Sequence, residues 1–284
     1  DYDKLKNWKF EPVHQTLTDR DTILYALGVG LGMDPLDKAQ LPFVYEYDGA
    51  LKALPTMAVV LGNPGFWLKD PETGVDWVKV LHGEQSIVLH KPVPAIGKVV
   101  GQLRVTEIID KGEDKGALIF SENEISDAET GEKIATLGST TFARGDGGFG
   151  GPSGPAPTPH QMPETEPETV CDLPSLPQAA LIYRLCADRN PLHADPDVAQ
   201  AAGFKAPILH GLCSLAIAGH AILRTFCDYD PTRFKSLKLR FTSPVYPGET
   251  LRTEMWRDGN QVSFRTRVVE RDVVVLNNGL AEVA

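Results

Sequence analysis

HGLCSLAIAGHAILRTF, residues 210–226, puts Leu212, Leu215, Ala216, Gly219, Leu223 and Phe226 at three- and four-residue intervals, and apolar residues fill most of the gaps. That spacing predicts a helix. A helix apolar on most faces must be covered on most faces. The period then changes. SLKLRFTSPV, ETLRTEMWR, QVSFRTRVVE and DVVVLNN alternate or run β-branched, with Pro-Gly and Asp-Gly breaks between them. They read as about four antiparallel strands wrapped on the helix that precedes them. The chain closes on LAEVA, expected as a last edge strand. Upstream, Ser175 and Gln178 form a capping-box pattern before an apolar helical run to about Cys186. Asp195-Pro196 reads as N-cap and first residue of a short helix ending near Gly203.

The first half carries a weaker copy of this order. Thr18-Asp19 caps a helix through TILYALGVGLG, and EQSIVLH, GKVVGQLRV, ALIFSENEI and KIATLGSTTF read as strands. Lys91-Pro92-Val93-Pro94 with Gly97-Lys98 matches Ser243-Pro244-Val245-Tyr246-Pro247-Gly248-Glu249 in place and composition. A duplicated helix-plus-sheet unit follows, of fold class α+β. Between the halves, residues 145–168 are crowded with Gly, Pro and Glu without hydrophobic period, which makes them a linker. The units are then 1–144 and 169–284, within the size expected when 284 residues split in two.

Composition narrows the function. With 42% hydrophobic and 23% charged residues the chain is an ordinary globular protein. A net charge of -10 argues against nucleic acid or an anionic membrane as partner, which would need a basic face. No apolar run approaches a membrane span of roughly 20 residues. The opening DYDKLKNWKFEP is charged where a signal peptide is apolar, so an intracellular location is expected. The four cysteines, Cys171, Cys186, Cys213 and Cys227, fall in no CxxC or zinc spacing and are expected reduced.

Two glycine runs resemble phosphate loops only superficially. Gly28-Val29-Gly30-Leu31-Gly32 has the wrong spacing and ends a helix, and Gly147-Gly148-Phe149-Gly150-Gly151 runs into proline. The informative stretch is YRLCADRNPLHAD, residues 183–195. Pro191 should end the preceding helix and push Asn190 into an extended conformation. Asp188, Asn190 and His193 would then share a tight loop, where carboxylate, amide and imidazole can hold a water by acceptor and donor together. The same residues also suit plain turn and capping chemistry. A metal held by Asp188, His193, Asp195 and His210 is a third reading, with weak support because the donors are mixed.

YRLCADRNPLHADPDVAQAAGFKAPILHGLCSLAIAG resembles the signature of the MaoC-like (R)-specific enoyl-CoA hydratases, the hydratase 2 family. The resemblance extends to His82-Gly83-Glu84-Gln85, to the Gly-Gly-Phe-Gly-Gly run and to Phe241-Thr242-Ser243-Pro244-Val245, and so covers both halves. It implies a double hot-dog fold, in which a long helix is wrapped by an antiparallel sheet twice over. It implies reversible hydration of trans-2-enoyl-CoA to (R)-3-hydroxyacyl-CoA in fatty acid metabolism. Asp188 and His193 match the pair that activates water, Asn190 the residue that orients the site, and Gly211 the N–H donor to the thioester carbonyl. Tyr183, Glu84, Asp195 and His210 match supporting positions. Ala187 stands where the family has Gly, which would cost on the order of 1 kcal/mol were a positive φ needed there.

The first half has Thr18-Asp19-Arg20-Asp21-Thr22 in place of the catalytic motif and is expected to be catalytically silent. The resemblance implies that it makes room for the acyl chain. No metal or redox cofactor is expected, since the CoA thioester is the substrate. A homodimer and a fusion or association with a 3-hydroxyacyl-CoA dehydrogenase are the protein partners it suggests. The location would be peroxisomal in a eukaryote and cytoplasmic in a bacterium. Two other functions share such a fold: an acyl-CoA thioesterase, which would release free thiol, and a non-catalytic acyl-CoA-binding protein.

Overall fold

The alternating and β-branched runs form ten strands, and these join into one antiparallel sheet. The computed structural model describes residues 1–186 and 188–284, with every side chain among them except that of Asp48. Ala187, and with it the expectation of a costly φ, lies outside the described residues. The first half contains α1 (Tyr2–Lys6), β1 (Val13–Leu17), α2 (Asp19–Val29), α3 (Leu41–Val44), a 3-10 turn at Pro55–Val60, then β2 (Val80–Leu89), β3 (Gly97–Asp110), β4 (Ala117–Asp127) and β5 (Lys133–Ala143). The second contains β6 (Thr169–Pro174), α4 (Ala179–Tyr183), α5 (Pro196–Ala201), α6 (Gly211–Phe226), β7 (Phe234–Phe241), β8 (Thr250–Asp258), β9 (Gln261–Val268) and β10 (Val273–Val283).

The sheet order is β1-β3-β4-β5-β2-β7-β10-β9-β8-β6. Each half therefore runs first, third, fourth, fifth, second strand, and the two second strands form the seam between halves. Glu84 lies opposite Arg240 there and Ile87 opposite Leu237. The repeat read from the Pro/Gly turns is thus a repeat of topology, and the architecture is a double hot dog.

Helix α6 is the wrapped helix, with every residue from Cys213 to Leu223 buried. The halves differ at this layer. Where the second half has α6 between its first two strands, the first half has the six-residue turn Pro55–Val60, all buried. Pro55 starts that turn and the Gly62-Asn63-Pro64-Gly65 break follows it, so no long helix fits between them. Gly219 of α6 lets the turn come close: a Cβ there would stand 2.4 Å from Thr56 Cγ2.

Several local expectations change. Ser175 does not cap a helix; its hydroxyl donates to the Glu249 carbonyl at 2.9 Å and accepts from Gly248 N–H at 2.9 Å, tying β6 to the Pro-Gly turn. The helix beyond it is only Ala179–Tyr183, with Gln178 as an N-cap that makes no side-chain bond. LAEVA is no edge strand. It continues β10, between β7 and β9, past a register shift at Asn278, where φ is 53°. The true edges, β1 and β6, are short half-polar segments that carry little periodic signal.

The linker is fastened down. Asp110 accepts the N–H groups of Gly112, Gly148 and Gly150, His160 Nε2 lies 2.8 Å from Ser263 Oγ, and Trp256 Nε1 donates to the Thr165 carbonyl. The bond from Gly148, then that from Gly112, holds the Asp110 carboxyl below its usual range. The amides of the Gly147–Gly151 run therefore face a carboxylate of the chain itself, and a phosphate has no place among them. In the earlier run, Gly30 is the left-handed C-cap of α2 and Gly28 packs α2 against Tyr183. All four cysteines are unpaired.

Candidate active site

The loop from Asp188 to His193 is built by short-range bonds. Asn190 takes the extended conformation that Pro191 requires, with φ −53° and ψ 125°, and Pro191–His193 then forms a 3-10 turn. Asn190 N–H donates to Asp188 Oδ1 at 2.9 Å, and Asn190 Oδ1 accepts Leu192 N–H at 3.0 Å. The amide thus holds the carboxylate and the turn together. Asp195 is set apart: it caps α5, accepting Asp197 N–H at 2.9 Å, and is exposed.

His193 comes inward from this loop. Its Nδ1–H donates to the Ile208 carbonyl at 2.8 Å, which leaves Nε2 as the lone-pair nitrogen of the neutral ring. Nε2 stands 4.0 Å from Asp188 Oδ2, too far for a hydrogen bond. A water at about 2.8 Å from each atom spans that gap. The imidazole is 10% exposed and the carboxylate 56%, so one acceptor is dry and the other faces solvent. Burial lowers the His193 pKa, outweighing the Ile208 bond and the Asp188 charge that favour its cation.

His210 supports the pair from below. Its ring stacks on His193 with centroids 3.7 Å apart, and its Nε2–H donates to the Asp188 carbonyl at 2.9 Å. Burial takes its pKa down to about 4, and the neighbouring His193 adds to the shift. Tyr183, fully buried, packs on His210 at 5.1 Å.

His210 is also the N-cap of α6, and its side chain makes no capping bond. The Cys213 and Ser214 N–H groups bond to the His210 carbonyl, which leaves those of Gly211 and Leu212 as the surplus donors of the helix start. The helix dipole favours negative charge at the same point. Gly211 itself is exposed, and a Cβ there would lie 3.2 Å from ring atoms of Phe241. His82 packs at a tilt against that ring, centroids 4.7 Å apart, and its Nε2 lies 3.1 Å from Ser139 Oγ. His82 and Phe241 thus join the site, although neither was among the residues assigned roles. Their motifs, HGEQ and FTSPV, were the available signal.

Glu84 does not converge on this loop. A bulge at Gly83 turns it to the opposite face of the sheet from His82, where it pairs with Arg240 and accepts from Thr140 Oγ1. There it lines a cavity of about 280 Å³ together with Lys238, Arg240, Pro157 and His160; Asp188, His193 and Gly211 are not part of that lining.

Asp188, His193 and His210 offer three ligand atoms within 4.8 Å. They suit a metal ion poorly. The imidazoles are stacked only 25° from parallel, so their lone pairs run side by side, and one nitrogen of each already donates to a carbonyl. Asp195, the fourth suggested ligand, caps α5 instead.

Residues 157–279 match the model described as MaoC like domain, and residues 15–145 match the MFE-2 hydratase 2 N-terminal domain. A peroxisomal enoyl-CoA hydratase 2 of Arabidopsis thaliana is 38% identical over 288 residues, covering 96% of this chain and 93% of that one. The chain belongs to the MaoC-like hydratase 2 family. A crystal structure of a MaoC-like dehydratase from Phytophthora capsici superposes on this family member with a TM-score of 0.86 at 34% identity, covering 99% of this chain and 98% of that one. A peroxisomal hydratase-dehydrogenase-epimerase of Neurospora crassa is 37% identical over 281 residues, and the match covers 95% of this chain but 30% of that protein.

Proposed function

We propose that the chain catalyses reversible addition of water to trans-2-enoyl-CoA, giving (R)-3-hydroxyacyl-CoA in fatty acid metabolism. The observation that carries this is the water-sized gap between Asp188 Oδ2 and His193 Nε2, placed beside the uncapped start of α6. The thioester carbonyl would accept from Gly211 N–H. Water held by the pair forms the C3–O bond, the C2–C3 π electrons move toward the thioester oxygen, and one water proton passes to the pair. The enolate-like carbon C2 then takes a proton back from the same side. Charge gathers on the thioester oxygen in between, where one such donor is typically worth about 3 kcal/mol. Water addition moves protons without net oxidation, so the scheme calls for no metal or redox group.

The first half would make room for the acyl chain, since its wrapped segment is a six-residue turn where the second half has a sixteen-residue helix. Partnership with a 3-hydroxyacyl-CoA dehydrogenase suits the product, a secondary alcohol, and the Neurospora relative is named for both activities. Peroxisomal location rests on the names of relatives. A homodimer would be the remaining partner. Among the described residues no helix is long and apolar enough to cross a membrane.

The test is absorbance of the conjugated enoyl thioester, read beside a free-thiol assay. Loss of the band without thiol supports hydration; thiol release would make the chain a thioesterase. Asp188→Asn should lower turnover by roughly 10³-fold with the fold intact. An active Asp188→Asn enzyme would refute the assignment.

A further inference from the structure

The catalytic imidazole ends a column of four rings that begins in the other half of the molecule. Tyr25, on α2, packs on Tyr183 at 5.6 Å, Tyr183 on His210 at 5.1 Å, and His210 on His193 at 3.7 Å. Tyr25 and Tyr183 are 0% exposed, His210 3% and His193 9%. Each lower ring belongs to a different element: α2, α4 and the N-cap of α6.

One hydrogen bond, Nδ1–H to the Ile208 carbonyl, fixes an edge of His193 but leaves its plane free to swing about that contact. The stacked His210 sets the plane. His210 is held in turn by the Asp188 carbonyl and by Tyr183, and Tyr183 rests on Tyr25. Tyr25 is well anchored. Its helix has a complete Thr18/Asp21 capping box, and Gly28 of the same helix approaches the Tyr183 backbone closely, its carbonyl 3.5 Å from Cys213 Sγ of α6. The Tyr25 and Tyr183 rings meet at 50° and the Tyr183 and His210 rings at 48°, so the lower members of the column pack at a tilt, and a rigid ring is what Tyr25 offers it.

We propose that Tyr25 is a positioning residue for His193: through Tyr183 and His210 it keeps Nε2 aimed at the water-binding gap. The half without the catalytic motif would then take part in setting catalytic geometry. The inference rests on the assignment of Asp188 and His193 above. The charged and titratable groups around His193 are Asp188 and His210, with Arg184 beyond His210.

The experiment is steady-state kinetics across pH on Tyr25→Met, which fills the volume without a rigid ring, and on Tyr25→Phe, which keeps the ring. Misplacing a catalytic group by about 1 Å can cost 10²-fold. Tyr25→Met should therefore lose roughly 10-fold or more in kcat with KM within about three-fold. Its acid limb should move to higher pH as water reaches His193. Tyr25→Phe should recover kcat to within about three-fold of the parent. A folded Tyr25→Met enzyme with parental kcat and pH profile overturns the proposal, and so does a Phe variant as impaired as the Met one. Should Tyr25→Met not fold, Tyr25→Leu replaces it. Imidazole ¹⁵N spectra of the unaltered protein give an independent check, since finding the neutral His193 proton on Nε2 would also overturn it. If Asp188→Asn stays active, the catalytic assignment fails whatever Tyr25 does. If that variant is inert and Tyr25→Met is normal, only the positioning role fails.

Discussion

In the proposed chemistry Gly211 and His193 would act through single atoms, so changes at either should be felt in turnover before they are felt in folding. A methyl group at residue 211 would press on the Phe241 ring at 3.2 Å, and either the ring or the helix start must yield by a few tenths of an ångström. Gly211→Ala should lower kcat about ten-fold, near 1.4 kcal/mol in barrier, while the melting temperature stays within a few degrees; parental kcat would show that the N–H has latitude. His193 is kept neutral by burial, and its ordinary pKa of 6.5 is shifted down. If its lone pair receives the water proton, hydration should hold its rate as pH falls through 6.5 and decline only below it. The acid limb of kcat/KM checks this, and an inflection at or above 6.5 would contradict it.

Between elements, close backbone approach is what positions the site helix. Gly219 faces Thr56 across the junction of α6 with the Pro55–Val60 turn. Gly219→Ala should destabilise by about 1–3 kcal/mol, as overpacking does. Thr56→Ser removes the offending methyl and should recover most of that loss in the double variant, measured by denaturant unfolding. The linker is held differently, by amide donors converging on the Asp110 carboxylate. Asp110→Ala should release residues 145–160 to proteolysis faster than the parent; equal nicking rates would mean that the contacts farther along suffice.

At the scale of the whole molecule, buried histidines link stability to pH. His210 and His220 are each pushed down to about 4 by burial, from an ordinary 6.5. The unfolded chain takes up their protons first. Their contribution is therefore complete above about pH 6.5 and is lost as pH falls toward 4, roughly 3 kcal/mol for each group. A melting temperature flat between pH 7 and 4.5 would contradict it. The seam between halves adds an ion pair, Glu84 with Arg240, both side chains partly exposed. Glu84→Gln should lower the melting temperature by a few degrees and leave far more activity than Asp188→Asn; an equal loss of turnover would place Glu84 in the chemistry. How much of this was legible follows from the range of each interaction. Helix α6, the long strands and the Asp188–His193 turn are written in local periods, caps and a proline, and could be read from residues a few positions apart. The short half-polar edges β1 and β6, the Ser175 tie to Glu249 and the face taken by Glu84 depend on partners far along the chain or on a one-residue bulge. The amino-acid sequence by itself determined the duplicated order of strands, the loop that carries Asp188, Asn190 and His193, and the family. Only the tertiary structure decided that the first half's wrapped segment is a short turn, that Glu84 lies on the far face, and that Tyr25 reaches His193 through two intervening rings. The contact of Tyr25 with Tyr183 alone joins residues 158 positions apart in sequence, and packing alone brings them together.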